Sequence, residues 1–407
     1  MAGVDHRAGS GLCTAWRQRA VVAVVAATVA LAVAACAGGS DDTTAPTTAV
    51  RVPPPLRLNQ LQVIGTHNSY HLEAPPEQLE ARVAVDPGAI ELAYSHLPIP
   101  EQLSTQGVRQ LELDVFADPD GSLWDPVGTP GFKVFHEEQA DPGTTCPTLV
   151  GCLSQVRDWS DAHPGHLPIA VLVELKDGVE VPGPPDPVPF TAELTRALDA
   201  EIRSVFPEER LLTPDDVRGD APTLEAAVLA GGWPLVDDVR DRVLFLLDNK
   251  RELYLEGNPN LEGRVLFTPA EPGQPDAAFV KRNQPTGANR EAIAELVRRG
   301  YLVRTRADIP VATPVSGDTS RREAALASGA QFVSTDYPVA GMAERWGSDY
   351  VAAVPGGAPA RCNPVNAPPG CLPTDLEDLG LAILPWPADR PLPSLPVPPL
   401  PPGAELR

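Results

Sequence analysis

Eight short runs rich in β-branched and apolar residues punctuate the chain between Leu61 and Pro338. They are LQVIGTH from Leu61, RQLELDVF from Arg109, FKVFH from Phe132, IAVLVELK from Ile169, RVLFLLDN from Arg242, RVLFT from Arg264, YLVRTRAD from Tyr301 and QFVSTDYP from Gln331. Helical patterns lie between them, clearest over 149–162, 190–205, 289–299 and 320–327, two of them closing on Gly300 and Gly329. Strands that alternate with helices signal a parallel sheet, because a parallel crossover needs a dozen or more residues and a helix supplies them. Eight such strands favour a closed TIM-like (β/α)8 barrel of about 250 residues over an open doubly wound sheet. No GxGxxG follows the first run, which agrees with that choice. The body from Leu56 to Trp346, roughly 290 residues, is long enough for one such barrel.

A barrel gathers its chemistry at the C-terminal ends of the strands, where side chains from several strands converge without filling the core. Polar residues should therefore interrupt the apolar pattern there. The first run ends in His67 and Asn68, the second carries Glu112 and Asp114, and the third ends in His136. The fourth carries Glu174 and Lys176, the fifth ends in Asp248, Asn249 and Lys250, the seventh holds Arg304 and Arg306, and the last ends in Asp336.

The segments outside the body read differently. Residues 1–35 carry Arg7, Arg17 and Arg19, then the apolar run AVVAVVAATVALAVAA, the composition of a secretory leader and not of a spanning helix. The small residues Val33, Ala34 and Ala35 before Cys36 resemble a bacterial lipobox, which makes Cys36 an expected site of lipidation; the alternative is an ordinary leader cut nearby. Residues 36–55, rich in Thr, Asp, Gly and Pro, read as a flexible tether. Residues 347–407 are Pro-rich and end in PLPSLPVPPLPPGAELR, expected to form an extended spacer around a small loop. An extracytoplasmic protein, secreted or lipid-anchored, follows as the expectation. Beyond the leader stand Cys146, Cys152, Cys362 and Cys371; the short spacings favour Cys146–Cys152 and Cys362–Cys371 disulfides in an oxidising compartment.

The formal charge is −22, and without the leader 29 basic residues face 53 acidic ones, close to −24. Such a surface repels the phosphates of nucleic acid and argues against that partner. An anionic lipid substrate would equally need a cation or local Arg and Lys in the site.

Glu112 and Asp114, two apart on one strand, point to the same face. Two carboxylates on an inner rim repel unless something neutralises them. With the Asn68 amide oxygen and Glu174 they offer four oxygen ligands, a set that suits calcium or magnesium better than zinc. In an exported protein calcium is the more available. His67 and His136 flank these groups and are suited to proton transfer near neutral pH. A metal, two imidazoles and nearby cations together describe phosphoryl transfer.

The segments VIGTHNSY, LELDV, VFHEE and VLVELK resemble the catalytic half of calcium-dependent phosphoinositide phospholipases C, in particular their bacterial secreted branch within the phospholipase C-like phosphodiesterases. VRTRAD and FVSTDYP are similar to that branch's last two strands, so the resemblance runs from about Leu56 to Met342. It implies calcium held by Asn68, Glu112, Asp114 and Glu174, with His67 stabilising the phosphorane and His136 protonating the diacylglycerol oxygen. The implied nucleophile is the inositol 2-hydroxyl, with Glu112 or Glu174 as general base and a cyclic inositol phosphate as product. Lys176 is a candidate phosphate contact. Arg304 and Arg306 either bind phosphate or inositol, or pair with Asp336 and other rim acids. A monomer acting on a phosphoinositide or related phosphodiester lipid at a membrane surface is expected. The chain departs from the eukaryotic branch in showing no pleckstrin-homology, EF-hand or C2 pattern, and its loop from His71 to Leu97 is longer than a minimal turn. Two alternatives stand beside this reading. A glycerophosphodiester phosphodiesterase would show HRG where this chain has His67-Asn68, and a non-catalytic surface lipoprotein binding lipid or sugar would not require the whole constellation.

Overall fold

A computed structural model describes residues 54–178 and 185–393. The leader, Cys36, most of the tether and the last residues of the Pro-rich segment lie outside the described residues. Eleven strands form the described sheet. They are β1 (Leu61–Thr66), β2 (Gln110–Asp118), β3 (Gly131–Val134), β4 (Ile169–Lys176), β5 (Leu211–Leu212), β6 (Val243–Leu247), β7 (Leu266–Phe267), β8 (Phe279–Lys281), β9 (Leu302–Arg306), β10 (Phe332–Thr335) and β11 (Ala360–Cys362).

Seven parallel pairings run β7-β6-β4-β2-β1-β10-β9-β8. A single parallel bridge between Pro269, just past β7, and Phe279 of β8 joins the two ends, with the Ala270 N–H donating to the Phe279 carbonyl at 3.1 Å. The expected eight-stranded parallel barrel is therefore present, closed by its thinnest seam. Its strands read as continuous apolar runs because both faces are covered: β6 is buried at all five positions and β4 at all but its last polar ones. The helix Leu149–Ala162 shows how the outer layer is specified. Thr148 caps its start by accepting from Gly151 N–H at 3.1 Å, and Leu149, Cys152, Leu153, Val156 and Trp159 form its buried stripe. The helix Asn289–Arg299 ends where Gly300 takes φ 105°, a value open to glycine.

The eight strands are not all the eight expected. FKVFH does not enter the barrel: β3 pairs antiparallel with the far half of β2, Val115 opposite Val134 and Asp118 opposite Gly131, because β2 is nine residues long and overruns the rim. The eighth barrel strand is β8, only three residues, which has no periodic signature.

β1 and β2 meet at one register pair, Gly65 with Gln110, and the Gln110 side chain occupies the space a Cβ on residue 65 would need. Below that point β11 takes up the free edge of β1, antiparallel, with Leu61 opposite Cys362. The described part of the segment after Trp346 is thus packed on the barrel and is not an extended spacer. Glu377 pairs with the fully buried Arg109 and accepts from Leu167 N–H at 2.6 Å, and Leu384 N–H donates to Thr105 at 2.7 Å. Pro-rich composition carries no sign of these few long-range anchors. Both expected disulfides are present, Cys146–Cys152 and Cys362–Cys371.

Candidate active site

The ends of β1, β2 and β4 come together through short backbone ties. Ser69 N–H donates to the Glu112 carbonyl at 2.9 Å, and Glu112 N–H donates to Ser69 Oγ at 2.8 Å. Between them Asn68 adopts φ 45°, the left-handed region that asparagine tolerates better than most residues, and its side-chain amide donates to Tyr94 Oη at 3.1 Å. Register places Asp114 directly beside Glu174. Lys176 Nζ stands 3.5 Å from Asp114 Oδ2 and 3.8 Å from Glu174 Oε1.

Asp114 is buried, and neither of its carboxylate oxygens has a hydrogen-bond partner. Burial, only partly offset by Lys176 and reinforced by Glu112, pushes its carboxyl up to about 7. Burial and then Asp114 push Glu174 up to about 8. Two adjacent carboxylates with a raised proton affinity, one of them with neither oxygen satisfied, are short of positive charge, and all-oxygen donors suit a hard cation. The residues present therefore fit calcium. Among the described residues no three Asp, Glu, His or Cys side chains form a ready-made ligand cluster. Glu112, for its part, is turned to Arg304, whose guanidinium also reaches Ser334 Oγ at 3.1 Å and Asn283 Oδ1 at 2.5 Å.

Each expected histidine is backed by a carboxylate. His67 Nδ1 lies 3.0 Å from Asp336 Oδ1, with Arg306 Nη2 at 3.3 Å from the same nitrogen and 3.3 Å from Asp336 Oδ2. Burial, and next Arg306, hold His67 well below the usual imidazole range. Its ring is uncharged near neutrality, and an Nδ1–H directed at Asp336 leaves Nε2 as the free lone pair. Behind it, Asp308 receives the Thr335 hydroxyl and the Asp336 N–H, the latter at 3.3 Å; burial and then Asp336 push Asp308 up to about 7. His136 Nδ1 approaches Asp141 Oδ2 to 3.1 Å without the alignment of a full hydrogen bond. Both His67 and His136 keep 18 % of the side chain exposed, so each can meet a ligand. A cavity of about 310 Å³ opens beside Glu174 and Lys176, and Glu137, Asp177, Asn249 and Lys250 complete its charged lining.

All nine barrel residues expected at the site thus lie at this one end, with Arg304 and Arg306 paired to Glu112 and Asp336. Lys176 stands with the carboxylates. Asp141, His71, Tyr94 and Asp308 are contributors that strand-end reasoning did not select, since three sit in loops and Asp308 follows β9. The second histidine of HNSYH was the one local signal for His71.

The family model for Ca2+-dependent phosphoinositide phospholipase C matches residues 56–128 and 124–364. No curated protein matches the chain. Among solved structures, a calcium-dependent phosphoinositol-specific phospholipase C from a Gram-negative Pseudomonas sp is similar at 18% identity and TM-score 0.48, covering 76% of this chain and 96% of that one. A Ca2+-dependent phosphatidylinositol-specific phospholipase C from Streptomyces antibioticus is similar at 22% identity and TM-score 0.47, over 70% of this chain and 95% of its own. The family match spans most of the barrel and every strand end just described, and this chain belongs to the Ca2+-dependent phosphoinositide phospholipase C family of phosphodiesterases.

Proposed function

We propose that this protein cleaves phosphatidylinositol-type lipids to diacylglycerol and a cyclic inositol phosphate, by attack of the inositol 2-hydroxyl on phosphorus. The observation that carries the reading is the pair of carboxylate-backed histidines, His67 on Asp336 and His136 on Asp141, at the same end of the barrel as the unsatisfied Asp114 and its register neighbour Glu174. Asn68, Glu112, Asp114 and Glu174 would hold calcium, whose charge favours ionisation of the attacking hydroxyl and offsets charge on the phosphorane.

The Asp336 pairing supports a different role for His67 from the one the resemblance implies. A neutral imidazole with Nδ1–H on a carboxylate presents Nε2 as an acceptor, the arrangement of a general base, so His67 takes the 2-hydroxyl proton. Glu112 is less suited to that task because Arg304 engages it. His136, with Nδ1 on Asp141, presents Nε2 to the glycerol oxygen and protonates it as the bond to phosphorus breaks. Atoms balance: one proton leaves the inositol hydroxyl, one joins the diacylglycerol alkoxide, and no water is consumed in the first step. Arg306 and Lys176 reach the phosphoryl oxygens, and the charged cavity beside Glu174 accommodates the polar headgroup. The substrate is met at a membrane surface by an extracytoplasmic, monomeric protein; the two disulfides support an oxidising compartment, and Cys36 is the proposed lipid anchor.

Phosphorus NMR of the products tests the reading. A cyclic phosphodiester formed from phosphatidylinositol, abolished by chelator and restored by calcium, is the expected result. Glycerol-3-phosphate released from glycerophosphoinositol, without diacylglycerol from the intact lipid, would overturn it in favour of a glycerophosphodiesterase. No turnover of either would leave a binding protein.

A further inference from the structure

We infer that His71 is a positioning residue for His136, acting through the carboxylate of Asp141. The inference rests on the proposed role of His136 as the acid that protonates the leaving oxygen.

Asp141 Oδ2 lies 2.7 Å from His71 Nε2 and 3.1 Å from His136 Nδ1, while its other oxygen, buried, has no hydrogen-bond partner. The orientation of Asp141 is therefore set by His71. A carboxylate only accepts, so Nε2 of His71 carries a proton and donates it to Asp141. His71 is itself immovable. It is fully buried, stacked on Tyr94 with ring centroids 4.2 Å apart, and its backbone donates to Asn68 O at 2.8 Å and accepts from His96 N–H at 2.9 Å. Its neighbours are laced to the loop that carries Asp141: Leu72 N–H donates to Gly143 at 3.1 Å and Thr145 N–H to Tyr70 at 2.8 Å.

His136 has none of this support. It is partly exposed, and its approach to Asp141 is off the line of a straight hydrogen bond. Its ring direction depends on where Asp141 Oδ2 is held. His71 Nδ1 is buried and unpartnered, a cost that an apolar residue would not incur. A buried polar group kept at such a cost in a core needs a reason, and orienting the acid supplies one. Through Tyr94, the same ring touches the residue that holds Asn68, so His71 joins the acid to the proposed cation ligands.

The test is leaving-group dependence in the full chain. Phosphatidylinositol expels a basic alkoxide that needs protonation, whereas an inositol phosphodiester with a nitrophenyl leaving group does not. His71→Leu should lower kcat on phosphatidylinositol by about 10–100-fold with KM little changed, and affect the nitrophenyl substrate far less. His71→Gln, whose amide can again donate to Asp141, should recover most of the loss. Equal loss on both substrates, or a glutamine variant as impaired as the leucine one, overturns the inference. His136→Ala run in parallel separates the two levels. If it shows no leaving-group selectivity, the acid assignment falls and this inference with it; if it does and His71→Leu does not, this inference falls alone. Should the leucine variant fail to fold, His71→Asn, whose shorter amide stops short of Asp141, decides: selective loss supports the inference, and uniform loss overturns it.

Discussion

Replacing Asp114 by asparagine should stabilise the protein in chelator and remove its response to calcium. The Asp114 carboxyl is raised from its ordinary 3.8 to about 7, which disfavours its ionised form in the fold by up to about 4 kcal/mol. That figure already includes the offset from Lys176, and sharing the proton with Glu174 leaves about 2–4 kcal/mol assignable to this side chain. The sign follows from proton affinity. The native carboxyl binds its proton more tightly than the unfolded one, so stability is lost as pH rises from about 4 to about 7, and the full penalty applies above that. Asparagine stays neutral throughout. Unfolding entropy for about 330 ordered residues is about 0.7 kcal/mol per kelvin, so Asp114→Asn should melt about 3–6 °C above the parent in chelator at pH 8. At pH 5 the difference should fall below half of that. Calcium at about 100 times its dissociation constant adds about 2.7 kcal/mol, near 4 °C, to the parent and nothing to the variant. Differential scanning calorimetry at the two pH values, with chelator and with calcium, reads all four numbers. A variant no more stable than the parent at pH 8 in chelator, or one that takes the same calcium-induced rise, would refute the assignment of Asp114 to a cation site.

Three further outcomes are expected. Glu377→Ala strands the fully buried Arg109 and should cost about 3–5 kcal/mol in urea melts, whereas the double variant R109M/E377L should cost less than the single change; equal costs would deny the pair its place in the barrel floor. Glu201, whose carboxyl burial pushes up to about 7, lowers stability as pH rises from about 4.5 to 7, so Glu201→Gln should gain about 1–3 kcal/mol on the parent between pH 5 and pH 8, and a pH-independent difference would contradict this. Asp336→Asn should reduce kcat about 10²–10⁴-fold with the melting profile little lowered, by leaving His67 in the wrong tautomer; turnover within a few-fold of the parent would remove Asp336 from the dyad.

The barrel was legible because strands covered on both faces print themselves as apolar runs, and seven of the eight barrel strands do so. β8 escaped because three ladder residues between Pro-rich flanks carry no period, while the run at β3 looked like a barrel strand since a hairpin paired on the rim is as apolar as one within it. β3 nonetheless delivers His136 to the mouth. The anchoring of the last segment was illegible for another reason. It depends on single long-range contacts, Glu377 with Arg109 and β11 with β1, separated by hundreds of residues. The same holds for Asp141 and His71, whose partnership spans 70 residues and no repeating pattern.

Charge at the mouth ties the site to the composition of the whole chain. Arg304 is engaged with Glu112, Arg306 with Asp336, and Lys176 with both Asp114 and Glu174; further round the rim Lys250 pairs with Asp177 and Lys281 with Asp248. With all four carboxylates ionised, as above about pH 8, the first seven groups sum to one negative charge, on a chain that already carries −22. An anionic phosphodiester would be repelled by that field rather than steered into it. Two positive charges beside Asp114 and Glu174 would reverse the local sign and release Lys176 toward the substrate. Calcium dependence in this protein is therefore expected to act on substrate capture as well as on the chemical step. Initial rates across a calcium titration should show KM falling as kcat rises, with the fall in KM weakened by added salt as screening shortens the reach of the field.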